Sequence, residues 1–309
     1  MLTTLNTFTR LPFYLFLAII LVTGASPALS LLLGLVIGIF FTHPHPSPAK
    51  SISKYLLQAS IVGLGFGMDL VKVAAAGSDG FLYTLLSLAA TLTAGYFLGK
   101  WLRLETAMSY LISVGTAICG GSAIAAVSAV MKPDERNVSV SIGIVFILNA
   151  VALLVFPMIG SYFGLDEHTF GIWAAIAIHD TSSVVGAAAQ YGDTALMTAT
   201  TIKLARALWI IPVTLFTARY FHADKSGAAF PWFILWFLAA SAASTYLSIA
   251  PEISNTIVRF AKTGFSLTLF LIGSGITRDA LRSVGLRPMV HGTLLWLLVL
   301  TVSLFLLKP

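Results

Sequence analysis

Residues Trp173–Tyr191 read WAAIAIHDTSSVVGAAAQY, an apolar run interrupted by five polar residues in succession: His179, Asp180, Thr181, Ser182 and Ser183. Apolar flanks of about ten residues lie on either side, so in a bilayer, at ~1.5 Å per residue, the cluster sits near the midplane. Ionisable groups at that depth are costly and mark a functional site by default. In a soluble core helix the same residues would form a satisfied polar kink. Composition decides between the two.

The 309-residue chain is 58% hydrophobic and 10% charged, with a mean hydropathy of +0.93. A soluble domain carries roughly 25% charged residues, so the chain reads as an all-α polytopic membrane protein. Short strands of period-2 alternation, which a transmembrane barrel needs, are not visible. The formal net charge of +6 is loop charge that orients the protein, with no basic run suited to nucleic acid. The single cysteine, Cys119, leaves no internal disulfide. No His/Cys/Asp/Glu cluster has metal-ligand spacing, so neither metal nor cofactor is expected. Leu11–Thr23 is kept as a helix or anchor because no small-residue cleavage site follows it.

Apolar segments run near Leu11–Thr23, Ala28–Thr42, Lys54–Ala76, Phe81–Lys100, Thr106–Met131, Val138–Phe163, Phe170–Tyr191, Ala195–Tyr220, Phe230–Ile249, Ile253–Ile276 and Met289–Leu307. That predicts about eleven membrane elements in one integral membrane domain over 1–309, the first two shorter than the ~20 residues of a usual crossing. The loop HPHPSPAK (His43–Lys50) is a proline-rich connector with exposed histidines. With every element a crossing, the N-terminal side collects Arg10, Lys50, Lys54, Lys100, Arg103, Arg219, Lys225, Arg278, Arg282 and Arg287. The other side collects Lys72, Lys132, Arg136, Arg259, Lys262 and Lys308. The bias predicts a cytoplasmic N-terminus.

A partner for the opening stretch lies upstream. Thr116–Met131 reads TAICGGSAIAAVSAVM and Ala177–Tyr191 reads AIHDTSSVVGAAAQY. Aligned from Ala117 and Ala177, both have Ala-Ile, a polar or glycine pair, a serine (Ser122, Ser182) and a small-residue helix. A polar loop, an apolar helix and a proline (Pro157, Pro212) follow each. Repeat elements around 106–163 and 170–220 with paired interruptions point to a secondary transporter and to its site. Each element is either a broken crossing helix or a re-entrant hairpin, giving eleven crossings, or nine transmembrane helices plus two hairpins. Hairpins are favoured because they make the repeat inverted and move Lys132 and Arg136 to the cytoplasmic side. A second resemblance links Ile61–Gly77 with Leu269–Gly285, each with Gly-x-Gly, an Asp and a closing glycine. It does not fit one simple repeat with the first, and glycine-packed helix ends would suffice to produce it.

Gly120–Gly121 and Asp180–Ser183 disfavour continuous helix, the glycines by backbone entropy and the others by competing for backbone hydrogen bonds. Irregular backbone in the hydrocarbon is tolerated only where it lines a cavity or is buried in protein. Half-helices starting at Ser122 and Ser183 aim amide groups and partial positive charge at the midplane, which suits an anion. Lys203 and Arg206, in TTIKLARALWII, share a helix face. Snorkelling explains Lys203 easily and Arg206 only with strain; binding an anion or pairing with Asp180 are the alternatives. His179 and Asp180 are candidates for coupling to protons. Thr116, Cys119, Asn149, Thr181 and Thr201 are polar or small candidates for the cavity lining. Asp69 and Lys262 read as interfacial charges. No GxSxG, HExxH or Walker motif is present.

With GTAICGGSAIAA (Gly115–Ala126) and IHDTSSVVGAAAQYG (Ile178–Gly192) in view, the chain resembles the YeiH-type family of bacterial inner-membrane proteins, labelled sulfate exporters. KLARALWIIP, with Lys203 and Arg206, fits the same pattern. The resemblance implies kinship with the cation/proton antiporter and anion transporter superfamily: inverted repeats, breaks crossing at the midplane, and a core moving against a scaffold, often as a homodimer. The expectation is an elevator-type secondary transporter of sulfate, a sulfonate or a small carboxylate in the bacterial inner membrane. The substrate would lie against Thr116, Cys119, Gly120, Gly121, Ser122, Asn149, Thr181, Ser182, Ser183, Lys203 and Arg206, with His179 and Asp180 coupling a proton or cation. A cation/proton exchanger built on Asp180 is the alternative, and an intramembrane enzyme a weaker one.

Overall fold

A computed structural model describes residues 2–41, 44, 46–221, 232–247, 249–278 and 284–307. His43, His45, Lys225, Arg282 and Lys308, used above for the connector and the charge bias, lie outside the described residues. The described residues are mostly helical, with no strand among them. Among the described residues, four helical spans are long and apolar enough to cross a membrane: Glu135–Tyr162, Asp193–Tyr220, Pro251–Ser274 and Leu286–Leu307. The chain forms two compact units, Met1–Val73 with Trp232–Leu281, and Ala74–Pro231 with Arg282–Pro309.

The first unit is built on α1 (Leu2–Thr23), α2 (Pro27–Phe40), α3 (Pro46–Gly65), α12 (Trp232–Tyr246) and α13 (Pro251–Ser274). α13 packs on both α2 and α3. Lipid supplies no hydrophobic drive between helices, so close approach of small residues has to hold them. Gly34 and Gly38 of α2 supply it: a Cβ on Gly38 would lie 2.5 Å from the Ile276 carbonyl oxygen. From the other side, a Cβ on Gly273 would meet the Leu31 carbonyl oxygen at 2.6 Å and the Leu35 nitrogen at 2.9 Å. Those neighbours are backbone and cannot swing away. Gly273→Leu is therefore expected to destabilise the protein by about 1–3 kcal/mol, the usual range for overpacking, read as a lower melting temperature in detergent. Gly275→Ala, whose nearest neighbour stands 3.4 Å from the added carbon, is the control.

Two segments depart from the sequence expectation. The expected element Lys54–Ala76 is divided, because α3 ends at Gly65 and the next helix, α4 (Leu70–Trp101), begins five residues later. Short-range turns carry the chain through Phe66, Gly67 and Met68. Asp69 then accepts from the Val71 and Lys72 amides at 2.8 and 3.2 Å, capping α4. α12 pins this turn: Ser244 donates to the Phe66 carbonyl at 2.6 Å and Thr245 accepts from the Leu70 amide at 2.9 Å. Both Gly-x-Gly sequences thus lie at closely packed helix ends, Gly65 against Phe237 and Gly273 against Leu31. The second departure is in Ala195–Tyr220, which forms α10 (Asp193–Ala207) and α11 (Ile210–Tyr220) joined by a tight turn at Leu208–Trp209. Pro212 lacks an N–H and its ring crowds the Leu208 carbonyl, so regular helix fails there.

The second unit holds most of α4, then α5 (Thr106–Ala117), α6 (Gly121–Met131), α7 (Glu135–Tyr162), α8 (Glu167–Ala177), α9 (Thr181–Tyr191), α10, α11 and α14 (Leu286–Leu307). Its two interrupted elements decide what it can do.

Candidate functional site

The outer ends of α8 and α9 lie together. The Tyr191 hydroxyl donates to the Leu165 carbonyl at 2.6 Å, and the Phe170 and Tyr191 rings stack with centroids 3.7 Å apart. Glu167 accepts from the Thr194 amide at 2.8 Å. Asp166 caps α8, accepting from the Thr169 amide at 2.9 Å and its hydroxyl at 2.7 Å. Those bonds, the hydroxyl first, hold its carboxyl below the usual range. α8 and α9 therefore form a hairpin rather than one broken crossing helix. At 11 residues each, the arms reach about 16 Å, half of a ~30 Å hydrocarbon core.

α5 and α6 form the other hairpin. Ile124, one turn beyond the break, packs on Gly115, one turn before it, and α6 lies against α11. The Tyr110 and Thr217 hydroxyls bond at 2.7 Å, which sets the base of this hairpin at the end of α11. The base of α8–α9 lies at the start of α10. The two hairpins thus enter from opposite ends of the Asp193–Tyr220 span and meet at their tips. A Cβ on Gly120 would lie 3.5 Å from Cα and Cβ of Asp180 and 3.0 Å from Val145. Gly120 itself has φ +66° and ψ −128°, a conformation open to glycine almost alone.

Each tip leaves backbone groups to be satisfied, and those of α8 can be counted through. The Ala174 carbonyl takes the Ile178 amide at 3.0 Å. Ala175 and Ile178 take Lys203 Nζ at 3.3 and 2.7 Å. Ile176 takes Arg206 Nη1 at 3.0 Å, and Ala177 takes Trp296 Nε1 of α14 at 3.0 Å. Arg206 Nε also donates to the Ala117 carbonyl of α5 at 2.7 Å, so one guanidinium joins both hairpins. Lys203 and Arg206 are 0% exposed and sit at the negative ends of two half-helices, where cations are favoured.

The opposite half-helices begin differently. The amides of His179 and Asp180 both donate to Asn149 Oδ1 of α7 at 3.1 Å. The Asp180 carboxylate caps α9, accepting from the Ser182 amide at 3.0 Å and from the Ser182 hydroxyl. Pairing with Asp180 was one of the two alternatives for the cations; its carboxylate is engaged with Ser182. α6 carries no acid at its start. Gly121 is half-buried, a Cβ there would lie 3.6 Å from the Phe146 ring, and Ser122 is exposed. The start of α6 thus lies at an exposed residue, close to half-buried Asp180, which a Cβ on Gly120 would approach to 3.5 Å.

Thr116, Cys119, His179, Thr181, Ser182 and Ser183 are all buried around the tips, and Thr201 is buried on α10. Cys119 is a free, buried cysteine. Thr116 Oγ1, Asn149 Nδ2, Arg206 Nη2 and both His179 ring nitrogens are buried polar atoms that meet no hydrogen-bond partner. Trp296, absent from the expected set, completes the capping of α8. Its signal was its depth: a Trp at the middle of an apolar helix is far from the interfacial belts where Trp is usual, and its N–H needs an acceptor there.

A profile of the family described as "Conserved hypothetical protein 698" matches residues 5–292. The chain is 48% identical over 276 residues to a "UPF0324 membrane protein" of Bacteroides thetaiotaomicron, covering 89% of this chain and 84% of that one. A protein of the same description from Porphyromonas gingivalis is 49% identical over 284 residues, with 90% and 86% covered. One from Vibrio vulnificus is 44% identical over 300 residues, with 96% of each covered. No solved structure matches the chain.

Proposed function

From the premise that the chain belongs to the conserved hypothetical protein 698 family (UPF0324, the YeiH-type membrane proteins), we propose that it is a secondary active transporter of a small anion: sulfate, a sulfonate or a small carboxylate. The observation that carries this reading is the charge at the hairpin tips. Lys203 and Arg206 are wholly buried there and one carboxylate, Asp180, accompanies them. With all three ionised, one positive charge is left over in a low-dielectric interior, where an unbalanced charge is costly. An anion on the Gly121 and Ser122 amides balances it, at a helix N-terminus built to receive one.

The unit carrying both hairpins moves as one body in this reading, in elevator fashion. Its basic end, with Lys100, Arg103, Lys132, Arg136, Arg219 and Arg287, faces the cytoplasm, and the end with Asp166, Glu167 and Asp193 faces outward. In this reading the N-terminal end lies on the cytoplasmic side of the inner membrane, as the Lys and Arg bias predicts.

Thermal melting of the purified protein against inorganic and organic anions tests the substrate class, since binding to the native state raises apparent stability. A selective rise with one of the three anion classes is expected; no rise with any anion defeats the reading. In this reading Asp180, at the start of α9, is the residue that couples transport to protons. Asp180→Asn, which still accepts from Ser182, is expected to flatten the pH dependence of anion uptake into proteoliposomes. An unchanged profile removes Asp180 from coupling. Loss of all exchange, with cation replacement as the only condition that mattered in the parent, favours a cation/proton exchanger instead. An intramembrane enzyme would turn over substrate in detergent with no gradient.

A further inference from the structure

At the basic end of the second unit, away from the hairpin tips, α4, α5 and α11 enclose a cleft of about 260 Å³. Its floor is set by tight packing: Gly95 and Gly99 of α4 press on Ser113 and Ser109 of α5, and a Cβ on either glycine would collide with the facing serine. The Ser109 hydroxyl bonds the Gly95 carbonyl at 3.2 Å across this contact. Tyr96, Phe216 and Tyr220 line the walls, 50%, 63% and 62% exposed. Lys100 stands at the rim, its Nζ 4.4 Å from the Tyr96 ring centroid. Leu92, two helical turns deeper, lies about 12 Å farther in at 1.5 Å per residue.

The cleft is thus cationic at its mouth and apolar in its depth. Its mouth belongs to an end of the unit with six basic residues (Lys100, Arg103, Lys132, Arg136, Arg219, Arg287) against three acidic ones (Glu105, Asp134, Glu135) among the described residues. Basic pockets between membrane helices receive anionic headgroups, and exposed aromatics mark the interfacial depth at which headgroups lie. We propose that this cleft is a binding site for an anionic phospholipid. The phosphate contacts Lys100, and one acyl chain lies between Tyr96 and Phe216 toward Leu92. The inference stands apart from what the hairpin tips carry.

The test melts purified full-length protein in detergent with added phosphatidylglycerol or phosphatidylcholine, and counts retained lipid by native mass spectrometry. Phosphatidylglycerol is expected to raise the melting temperature and to be retained, and phosphatidylcholine is not. Lys100→Gln, at an exposed position, is expected to weaken the phosphatidylglycerol effect about fivefold, the worth of one basic contact at a leaflet surface. Lys132→Gln, at the same end but off the cleft, is expected to keep it. Equal losses in the two variants mean diffuse surface charge and overturn the site. So does an undiminished effect in Lys100→Gln, or concentration-dependent self-association that Lys100→Gln abolishes, which assigns the cleft to a second copy of the chain.

Discussion

Arg206→Met is expected to lower the melting temperature sharply and to reduce the yield of folded protein. The substitution nearly conserves volume but removes the donors to the Ala117 and Ile176 carbonyls. Hydrogen bonds from a charged group are worth about 1.5–3 kcal/mol each, so two come to about 3–6 kcal/mol. That is a large part of the 5–15 kcal/mol by which a typical domain is stable. Both carbonyls are left in a dry interior, which adds to the loss. Arg206→Lys is expected to fall between, because a single ammonium cannot reproduce the planar fork that spans two hairpins. A fluorescence melt in detergent decides the matter. If Arg206→Met melts like the parent and fails only to bind anion, the residue is a ligand and not a clasp.

Ser122→Glu is expected to abolish both the anion-dependent rise in melting temperature and anion uptake, while Ser122→Gln retains them. Ser122 is exposed in the first turn of α6, so a longer side chain meets no packed neighbour. A carboxylate there is favourable to the helix itself, and the fold should hold. It takes the place of the substrate's charge: two like charges 4 Å apart at an effective dielectric of 20 repel by about 4 kcal/mol, and half of that is already more than tenfold in affinity. Equal behaviour of the two variants removes the α6 N-terminus from the binding site.

The two interruptions were legible in the sequence because the residues that make them act locally. Gly120–Gly121 and Asp180–Ser183 disfavour helix wherever they stand, and the match between the two stretches marked them as a pair. The return of each arm was legible only as a preference, because the contacts that close the hairpins, such as Tyr191 on Leu165 and α6 on α11, leave no periodicity behind. Lys203 and Arg206 were legible as cations set in an apolar helix, but not what they touch. A backbone carbonyl is the same at every residue, so no side-chain pattern announces it as a partner. Asn149 was found as a polar residue in an apolar helix, and its bonds to two amides at the tip give that polarity a use. The split after Gly65 escaped because hydropathy runs on through it, while Asp69, read as an interfacial charge, is a helix cap.

The bond from Trp296 to the Ala177 carbonyl joins residues 119 positions apart, and this bears on how the protein is made. The α8–α9 hairpin leaves the ribosome long before α14 exists. Lys203 and Arg206 follow it within a few turns of helix and can settle three of its carbonyls at once. The Ala177 carbonyl, at the end of α8, takes its hydrogen bond from Trp296 instead. That bond, from the indole, forms once α14 is in place, so the last helix acts as the closing step of assembly for a site to which it contributes no charge.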